Sequence, residues 1–344
     1  MAENCTTQFL QAYNPIFRTS SFYQILVSGL STFPLAYFLI FKLWPSSFHG
    51  NLKAIFVGYF VSLILFSIFY TVTATIQSLN PFIAHTNCDL LVPPFYHKIL
   101  LSTISFLITL STSFPFFITF ERYFAIKFLE KYEQFIVILG PLLVNVNIII
   151  NFCIVFNIFQ DEEFSEPSVS FSVNPPDAAQ KMFTFYTILF ILNIFDILLN
   201  FRLIFRNFQL KKALSNASLS VKYQLEEVYQ STKFSIFVIF VHIILFGIYV
   251  FLVVFFRYFG NLIVSDPYNL FGIRTFSSTM IPTYHLAIGI FSIYFFKKLK
   301  SQNLQTTTIQ MSSTGTSGAK NYEKAIFEIW NTVEFARNDM VTVE

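Results

Sequence analysis

Long apolar stretches separated by short polar segments dominate the pattern of this chain. A membrane-spanning helix needs about 20 mostly apolar residues, because each adds about 1.5 Å across a hydrocarbon core of about 30 Å. Seven stretches meet that requirement: residues 20–41, 54–76, 99–120, 135–158, 182–205, 235–256 and 275–296. Asp196 and Arg202 interrupt the fifth stretch, whereas the other six contain no Asp, Glu, Lys or Arg. The pattern therefore predicts seven membrane spans.

The spans should be helices packed into one bundle. In hydrocarbon every backbone polar group must be bonded within the protein, and a β-barrel would instead show short segments that alternate with a period of two. Most connections are short, and no internal repeat of the kind found in many transporters is present. We predict an all-α, seven-transmembrane helix bundle at residues 20–296, with an extracellular N-terminus at 1–19 and a cytoplasmic tail at 297–344.

The composition agrees with a protein that lies in lipid. Hydrophobic residues make up 54% of the 344 residues and charged residues only 12%, about half the charged fraction of a soluble domain. This excludes most soluble enzymes, disordered proteins and nucleic-acid binders. The 48 Phe could wall a pocket for a small apolar molecule, although any large hydrophobe would satisfy the surrounding lipid.

The placement of Lys and Arg predicts the orientation, because short cytoplasmic loops carry an excess of both. With the N-terminus outside, 14 of them fall in inner segments and 5 in outer segments. We therefore place the N-terminus outside. This topology exposes the sequon Asn4-Cys5-Thr6 to glycosylation. Chance occurrence is the alternative, since Asn216-Ala217-Ser218 repeats the pattern in a predicted inner loop.

Three polar residues of the fifth span share one helix face: Asn193, Asp196 and Asn200. A carboxylate that faced lipid would cost about 2.5–3.5 kcal/mol, so this face should look into the bundle. An ion site or switch is one interpretation, and hydrogen bonds between helices are the one we favour. The same bonding interpretation applies to three residues of the fourth span: Asn145, Asn147 and Asn151.

His242, Tyr284 and His285 are candidates for a ligand pocket, because they are polar groups at membrane depth among aromatic residues. Each could equally be a packing residue with a satisfied hydrogen bond. Pro282 removes one helix hydrogen bond and should kink the seventh span. We find no paired carboxylates, metal-ligand cluster or nucleophile with its base. The sequence therefore predicts no enzyme activity, no cofactor and no metal.

Two inner segments are candidates for regulation. Residues 301–320 are rich in Ser and Thr and poor in apolar residues, which favours a flexible tail. Phosphorylation there would add negative charge and could recruit an arrestin-like regulator, with a passive polar tail as the alternative. Residues 220–233 carry Val221, Leu225 and Val228 at helical spacing. They should extend the sixth span as an amphipathic stem that either acts as a lever on a cytoplasmic partner or is simply a solvated helix end.

The most specific local signal is Glu121-Arg122-Tyr123, directly after the third span. An arginine at the inner boundary, held by a neighbouring carboxylate, could be a latch that breaks when the bundle opens. Four further motifs accompany it: Asn14-Pro15-Ile16-Phe17-Arg18, Phe48-His49-Gly50-Asn51-Leu52-Lys53, Tyr223-Gln224-Leu225-Glu226-Glu227-Val228 and Ile281-Pro282-Thr283-Tyr284-His285-Leu286.

With these motifs the chain resembles the seven-helix G-protein-coupled receptors, and more narrowly the nematode serpentine chemoreceptors of class beta, with class alpha as a close alternative. The resemblance implies olfactory or other chemosensory reception of an external small molecule and activation of a heterotrimeric G protein. It implies a plasma-membrane location, in sensory-neuron cilia. It also assigns the inactive-state latch to Glu121 and Arg122, with Arg122 engaging the G protein on opening.

Some alternatives stay open. The outer cysteines Cys5 and Cys88 could form a disulfide in an oxidising compartment or remain two free thiols. A ligand-gated channel subunit, as in the seven-helix insect odorant receptors, would have its N-terminus inside. A transporter would need polar residues along a path through the bundle. Asp196 and two lone histidines are the few residues that could line such a path.

Overall fold

The computed structural model describes residues 2–128, 132, 137–162, 164, 168–171, 175–213, 219–305, 320, 323–324 and 326–327. The side chains of residues 2–5, 176–177, 211, 219–224 and 300–305 are not among them. The Ser and Thr positions that we predict as phosphorylation sites, residues 306–317, lie outside the described residues. The chain divides into two compact units, Met1–Ser292 and Ile293–Glu344. The bundle and the sites below belong to the first unit, and the second contains the end of the last helix.

Among the described residues, seven helices are long and apolar enough to cross a membrane, which confirms the predicted all-α fold with seven spans but does not test its orientation. They are Pro15–Leu43, Gly50–Ile83, Pro94–Lys127, Leu139–Phe159, Ala178–Leu210, Leu225–Tyr258 and Pro267–Leu299, and we call them the first to seventh spans. A helix at Ala2–Ala12 precedes them, and short helical turns lie at Asn87–Leu90 and Gly260–Ile263. The only β pairing in the described part of the chain is a bridge between Val92 and Ser168. Following the orientation predicted from the charges, we call the end of the bundle that holds Glu121 the inner end and the end that holds Cys88 the outer end.

The N-terminal segment is mostly helical. After the helix Ala2–Ala12, the first span begins at Pro15, five residues before the predicted apolar stretch. The Asn14 side-chain oxygen accepts hydrogen bonds from the backbone N–H groups of Ile16 and Phe17, at 2.9 and 3.2 Å. Pro15 occupies the first helical position, where its missing N–H costs nothing. The Asn14-Pro15 motif is therefore a helix-start signal that hydrophobicity alone does not show.

Other helix bounds also depart from the apolar stretches. The fifth helix runs Pro176–Ala213, and the sixth runs Leu219–Tyr258 without a break. The sixth helix thus includes the predicted amphipathic stem, because a helix that leaves the membrane can continue in water on a polar face. The fourth helix begins at Leu139 rather than at 135, after a turn at residues 137 and 138. Pro141 then lies in its first turn, where no helix hydrogen bond is lost.

The seventh span consists of two helices, Pro267–Ser278 and Met280–Gln305, with a turn at Thr279 between them. Pro282 has no N–H to donate to the carbonyl group of Ser278, and its ring crowds that carbonyl. The interruption lies where the kink predicted from Pro282 would place it.

Aromatic rings fill the interior. Phe38 packs against Phe60 and Phe234 with ring centroids 4.7 and 5.6 Å apart, which joins the first, second and sixth spans. Other phenylalanines face outwards, such as Phe33 and Phe251. Phenylalanine therefore serves both the core and the lipid-facing surface. Arg122 is the largest fully buried side chain in the described part of the molecule, and it marks the site.

Candidate functional site at the inner end of the bundle

Arg122 and Glu121 form a buried, two-pronged ion pair at the inner end of the third span. The Nε atom of Arg122 donates to Oε2 of Glu121 at 2.6 Å, and Nη2 donates to Oε1 at 2.7 Å. Both side chains are fully buried. Breaking a buried pair by removing one partner costs about 3–5 kcal/mol, because the other charge remains without compensation. The pair is therefore a strong constraint on this end of the bundle.

Two further residues close the site around this pair. Nη1 of Arg122 donates to the hydroxyl oxygen of Ser231 on the sixth helix. The hydroxyl of Tyr132, between the third and fourth spans, donates to Oε1 of Glu121. Burial, with the nearby carboxylate, raises the pKa of Tyr132 above its usual value, so its hydroxyl stays protonated and able to donate. We call Glu121, Arg122, Tyr132 and Ser231 the inner lock.

The part of the stem that precedes Ser231 in sequence connects the inner lock to the first inner loop. Glu227, one helical turn before Ser231, accepts a hydrogen bond of 2.6 Å from the backbone N–H of His49. The His49 ring packs on the Tyr132 ring with centroids 4.4 Å apart. His49 also begins the second helix, since its Nδ1 accepts from the backbone N–H of Asn51. A movement of the stem would therefore break contacts with both inner loops.

Apolar packing supports the lock on the side of the stem. Leu225 and Val228, two of the three apolar residues that predict the stem, are buried in one cluster with Ala125 and Ile126 of the third span. The third, Val221, has a side chain outside the described residues. The stem is therefore docked against the third span, and its apolar stripe faces the bundle rather than water.

Tyr123 does not belong to the lock, although it completes the predicted triplet. Its side chain is 41% exposed, and the Lys127 ammonium lies 5.6 Å from the centroid of its ring. Sequence reasoning missed Tyr132, Ser231 and Glu227. Ser231 lies three residues after Val228, and this helical spacing places the serine on the buried face of the stem. That spacing is the feature of the sequence from which Ser231 could have been predicted.

The structure brings His242, Tyr284 and His285 together in the middle of the bundle. Nδ1 of His242 lies 2.9 Å from the Tyr284 hydroxyl, which also bonds to the hydroxyl of Tyr59. Nδ1 of His285 lies 3.3 Å from the hydroxyl of Ser67. Both histidines are fully buried, and Tyr284 is nearly so. The three residues form a polar core, and a ligand would contact them only after the surrounding packing opens.

The polar residues of the fifth span bond to their own helix and to the third. The Asn200 amide donates to Thr119 of the third span and to the Asp196 carboxylate, the latter at 3.3 Å. Asn193 donates to the Leu189 carbonyl at 2.8 Å. The link to Thr119 is the interhelical bonding that we favoured, and it lies two residues from Glu121.

The asparagines of the fourth span divide into two kinds. Asn147 and Asn151 bond to the hydroxyl of Ser113 on the third span, at 2.6 and 2.8 Å, as expected of interhelical hydrogen bonds. Asn145 is exposed, and no hydrogen bond joins it to any residue that the structure describes. The bonding interpretation was wrong for Asn145, because its side chain lies at the exposed surface of the helix rather than in a packed contact between helices.

At the outer end, Cys88 is disulfide-bonded and Cys153 is a free thiol. The side chains of Cys5 and Asn4 lie outside the described residues, so the Cys5–Cys88 pairing and the glycosylation of Asn4 stay predictions. Cys88 lies in a turn held by Asp89, whose carboxylate accepts from the backbone N–H groups of His85 and Thr86. These bonds lower the pKa of Asp89 below its usual value. Within the described ranges, no group of three or more His, Cys, Asp or Glu residues could hold a metal ion.

Comparison with known proteins shows which family this chain belongs to. Residues 13–246 match the model of the serpentine type seven-transmembrane GPCR chemoreceptor family Srb. The chain is 56% identical to serpentine receptor class beta-11 of Caenorhabditis elegans, with 96% of each chain covered. It is 44% identical to class beta-15 of the same organism, over 97% of this chain and 99% of that protein. Class beta-7 is 42% identical, over 97% and 96%.

Proposed function

We propose, because the chain belongs to the Srb family of serpentine seven-transmembrane chemoreceptors, that it binds an external small molecule and activates a heterotrimeric G protein. The family is one of receptors in the membrane. The observation that carries the coupling mechanism is the inner lock, in which the guanidinium of Arg122 bonds both to Glu121 on its own helix and to Ser231 on the sixth.

The lock supports an opening mechanism. In the closed state the bond from Arg122 to Ser231 holds the stem against the third span, and the bond from His49 to Glu227 holds it against the first inner loop, while two bonds to Glu121 keep Arg122 in place. An outward movement of the stem breaks the bond to Ser231 and uncovers the guanidinium. A partner with acceptor groups, such as the carbonyl groups at a helix end of a G protein, can then bind the freed donors.

The polar core gives a route from the ligand to the stem. His242 lies on the sixth helix eleven residues beyond Ser231, and its partner Tyr284 lies just after the break in the seventh span. A ligand that separates His242 from Tyr284 would favour a different position of the sixth helix. The aromatic residues around this core, Phe66 and Phe246 among them, suit a small molecule that is mostly apolar.

The basal activity of a Glu121→Gln variant tests this proposal without knowledge of the ligand. Glutamine keeps the shape of the side chain but removes the charge that holds Arg122, so the closed state loses more stability than an open state in which the guanidinium is solvated. Each 1.4 kcal/mol is a factor of ten in the equilibrium, and we expect ligand-independent signalling to rise about tenfold. The measurement is second-messenger output in cells that express the receptor with a promiscuous G-protein α subunit.

Tyr123→Phe is the matched control, since Tyr123 is adjacent in sequence but lies outside the lock. It should leave basal signalling at the wild-type level. If the output of Glu121→Gln equals that of wild type at equal surface expression, the lock does not hold the closed state.

The topology has its own test at Asn4. We expect peptide N-glycosidase to lower the apparent mass of the wild-type receptor, and Asn4→Gln to abolish that shift, because only a lumenal N-terminus meets the glycosylation machinery. Asn216→Gln in the predicted inner loop should change nothing. An N-terminal tag that antibodies reach only after permeabilisation would contradict the orientation.

We extend the proposal to partners and location. The Ser- and Thr-rich residues 301–320 offer phosphorylation sites, whose negative charge would recruit an arrestin-like regulator after activation. As a multi-pass membrane protein of a chemoreceptor family, the receptor would act at the plasma membrane of sensory neurons, in their cilia.

A further inference from the structure

An apolar groove runs along the outside of the bundle between the second, third and fourth spans. Its volume is about 700 Å³, and its wall along the second span runs from Gly50 through Gly58 to Leu65. At about 1.5 Å per residue, that distance is about 22 Å, or about three quarters of the hydrocarbon core. The groove is too long to be a gap between two neighbouring side chains.

Gly58 lies in the wall of this groove where its neighbours approach most closely. A Cβ atom at this position would lie 3.1 Å from both Cζ of Phe114 and Cγ1 of Val144. Phe114 and Val144 themselves line the groove. The absence of a side chain thus lets Phe114 and Val144 pack directly against the second span, so that no side chain at position 58 projects into the groove.

Asn145 gives an independent sign that a polar group occupies the part of this groove near its inner mouth. It lines the groove, it is exposed, and its amide bonds to no described residue. It lies six residues, or about 9 Å, beyond the start of the fourth helix at Leu139. A polar group at that depth that faces hydrocarbon without a hydrogen-bond partner is costly. A hydrogen bond to an ester carbonyl of a lipid would remove that cost.

Lys53 places an ammonium group at the inner mouth of the groove, within electrostatic reach of the Glu227 carboxylate. The Lys53 ammonium donates to the carbonyl groups of Ser46 at 2.7 Å and Trp44 at 3.2 Å, which leaves one of its three N–H groups for an anion. Trp44, 67% exposed, also lines the mouth. Tryptophan and lysine at the end of a span are typical of the level of lipid head groups.

We propose that this groove is a binding site for an anionic glycerophospholipid of the inner leaflet. The head-group phosphate lies against Lys53, an ester carbonyl accepts a hydrogen bond from Asn145, and one acyl chain lies along Gly58 towards Leu65. The order of charge, amide and apolar wall along the groove matches the order of phosphate, ester and hydrocarbon in such a lipid.

A photo-crosslinking experiment on the full-length receptor tests the position of the chain. The receptor is reconstituted in phosphatidylcholine vesicles that contain phosphatidylserine with a diazirine in one acyl chain. We expect crosslinks on residues 57–65 of the second span and 106–114 of the third. An even distribution of crosslinks over all seven spans would overturn the proposal.

Native mass spectrometry of the purified receptor measures how much lipid it retains. This tests which residues of the groove recognise the lipid. Val61→Trp fills the groove and should abolish the retained phosphatidylserine. Lys53→Gln should lower its retention about fivefold, the effect expected of one basic residue beside an anionic head group. Asn145→Leu should also lower it. Leu199→Trp, at a lipid-facing position of the fifth span, is the matched control and should have no effect.

Three results would overturn the assignment. The first is equal retention of phosphatidylcholine and phosphatidylserine by wild type, which would show that the head group is not recognised. The second is retention in Val61→Trp at the wild-type level, with unfolding temperatures of the two proteins also equal. Displacement of phosphatidylserine by a sterol at equal concentration would likewise show that the groove is built for a rigid ring system rather than an acyl chain.

Discussion

Replacing Arg122 by alanine in a Glu121→Gln background should abolish G-protein activation while the receptor still reaches the cell surface. Arg122 is the fully buried centre of the inner lock, with bonds to Glu121 and Ser231. We propose that the same guanidinium binds the G protein once the stem has moved. Loss of one partner from a buried, hydrogen-bonded charged contact costs about 2–5 kcal/mol, so coupling should fall about 30-fold or more.

The background substitution matters because of burial. Arg122→Ala alone would leave the Glu121 carboxylate fully buried without its partner, at a cost of about 3–5 kcal/mol, and the loss of signal would then be confounded with loss of folded protein. Glutamine at position 121 carries no charge and still accepts a hydrogen bond from Tyr132. The double variant therefore separates the role of Arg122 in coupling from its role in stability.

The assay compares three receptors at matched surface expression: wild type, Glu121→Gln and the double variant. Basal signalling should rise in the single variant and disappear in the double variant. If the double variant signals as strongly as Glu121→Gln, Arg122 is only a structural residue and the G protein is engaged elsewhere.

The predicted fold follows from hydrophobicity because the membrane imposes one length and one type of secondary structure on every span. Helix ends were harder to predict, since capping decides them. The first span begins at Pro15 because the Asn14 side chain accepts hydrogen bonds from its first backbone N–H groups. The sixth helix begins near Leu219 because its apolar stripe packs on the third span. Neither cause depends on membrane hydrophobicity.

The candidate site was predictable only in part. Glu121 and Arg122 are adjacent in sequence, so their pairing could be inferred from one helix end. Ser231 contacts Arg122 across 109 positions of the chain, and no local pattern reports such a contact. Asn145 shows the same limit, because the face of a helix that meets its neighbours depends on packing that a single span does not reveal.

Gly140→Ala should be the most damaging single-methyl change in the bundle. A Cβ atom at residue 140 would lie 2.2 Å from the Asn51 carbonyl oxygen and 2.7 Å from its Cα. These are backbone atoms at the start of the second helix, so no side-chain rotation can relieve the clash. The N–H of Gly140 also donates to Oδ1 of Asn51 at 3.0 Å, and separating the helices would break that bond.

Gly29→Ala is the matched control, because the nearest atom to a Cβ there is Cγ2 of Thr71 at 3.8 Å. Both substitutions gain up to about 1 kcal/mol of helix propensity. At Gly140 the overpacking term, about 1–3 kcal/mol, outweighs that gain, so we expect a lower midpoint of thermal unfolding and lower surface expression. Gly29→Ala should match or exceed wild type in both. A Gly140→Ala receptor as stable as Gly29→Ala would mean that the second and fourth spans do not approach as closely as the structure places them.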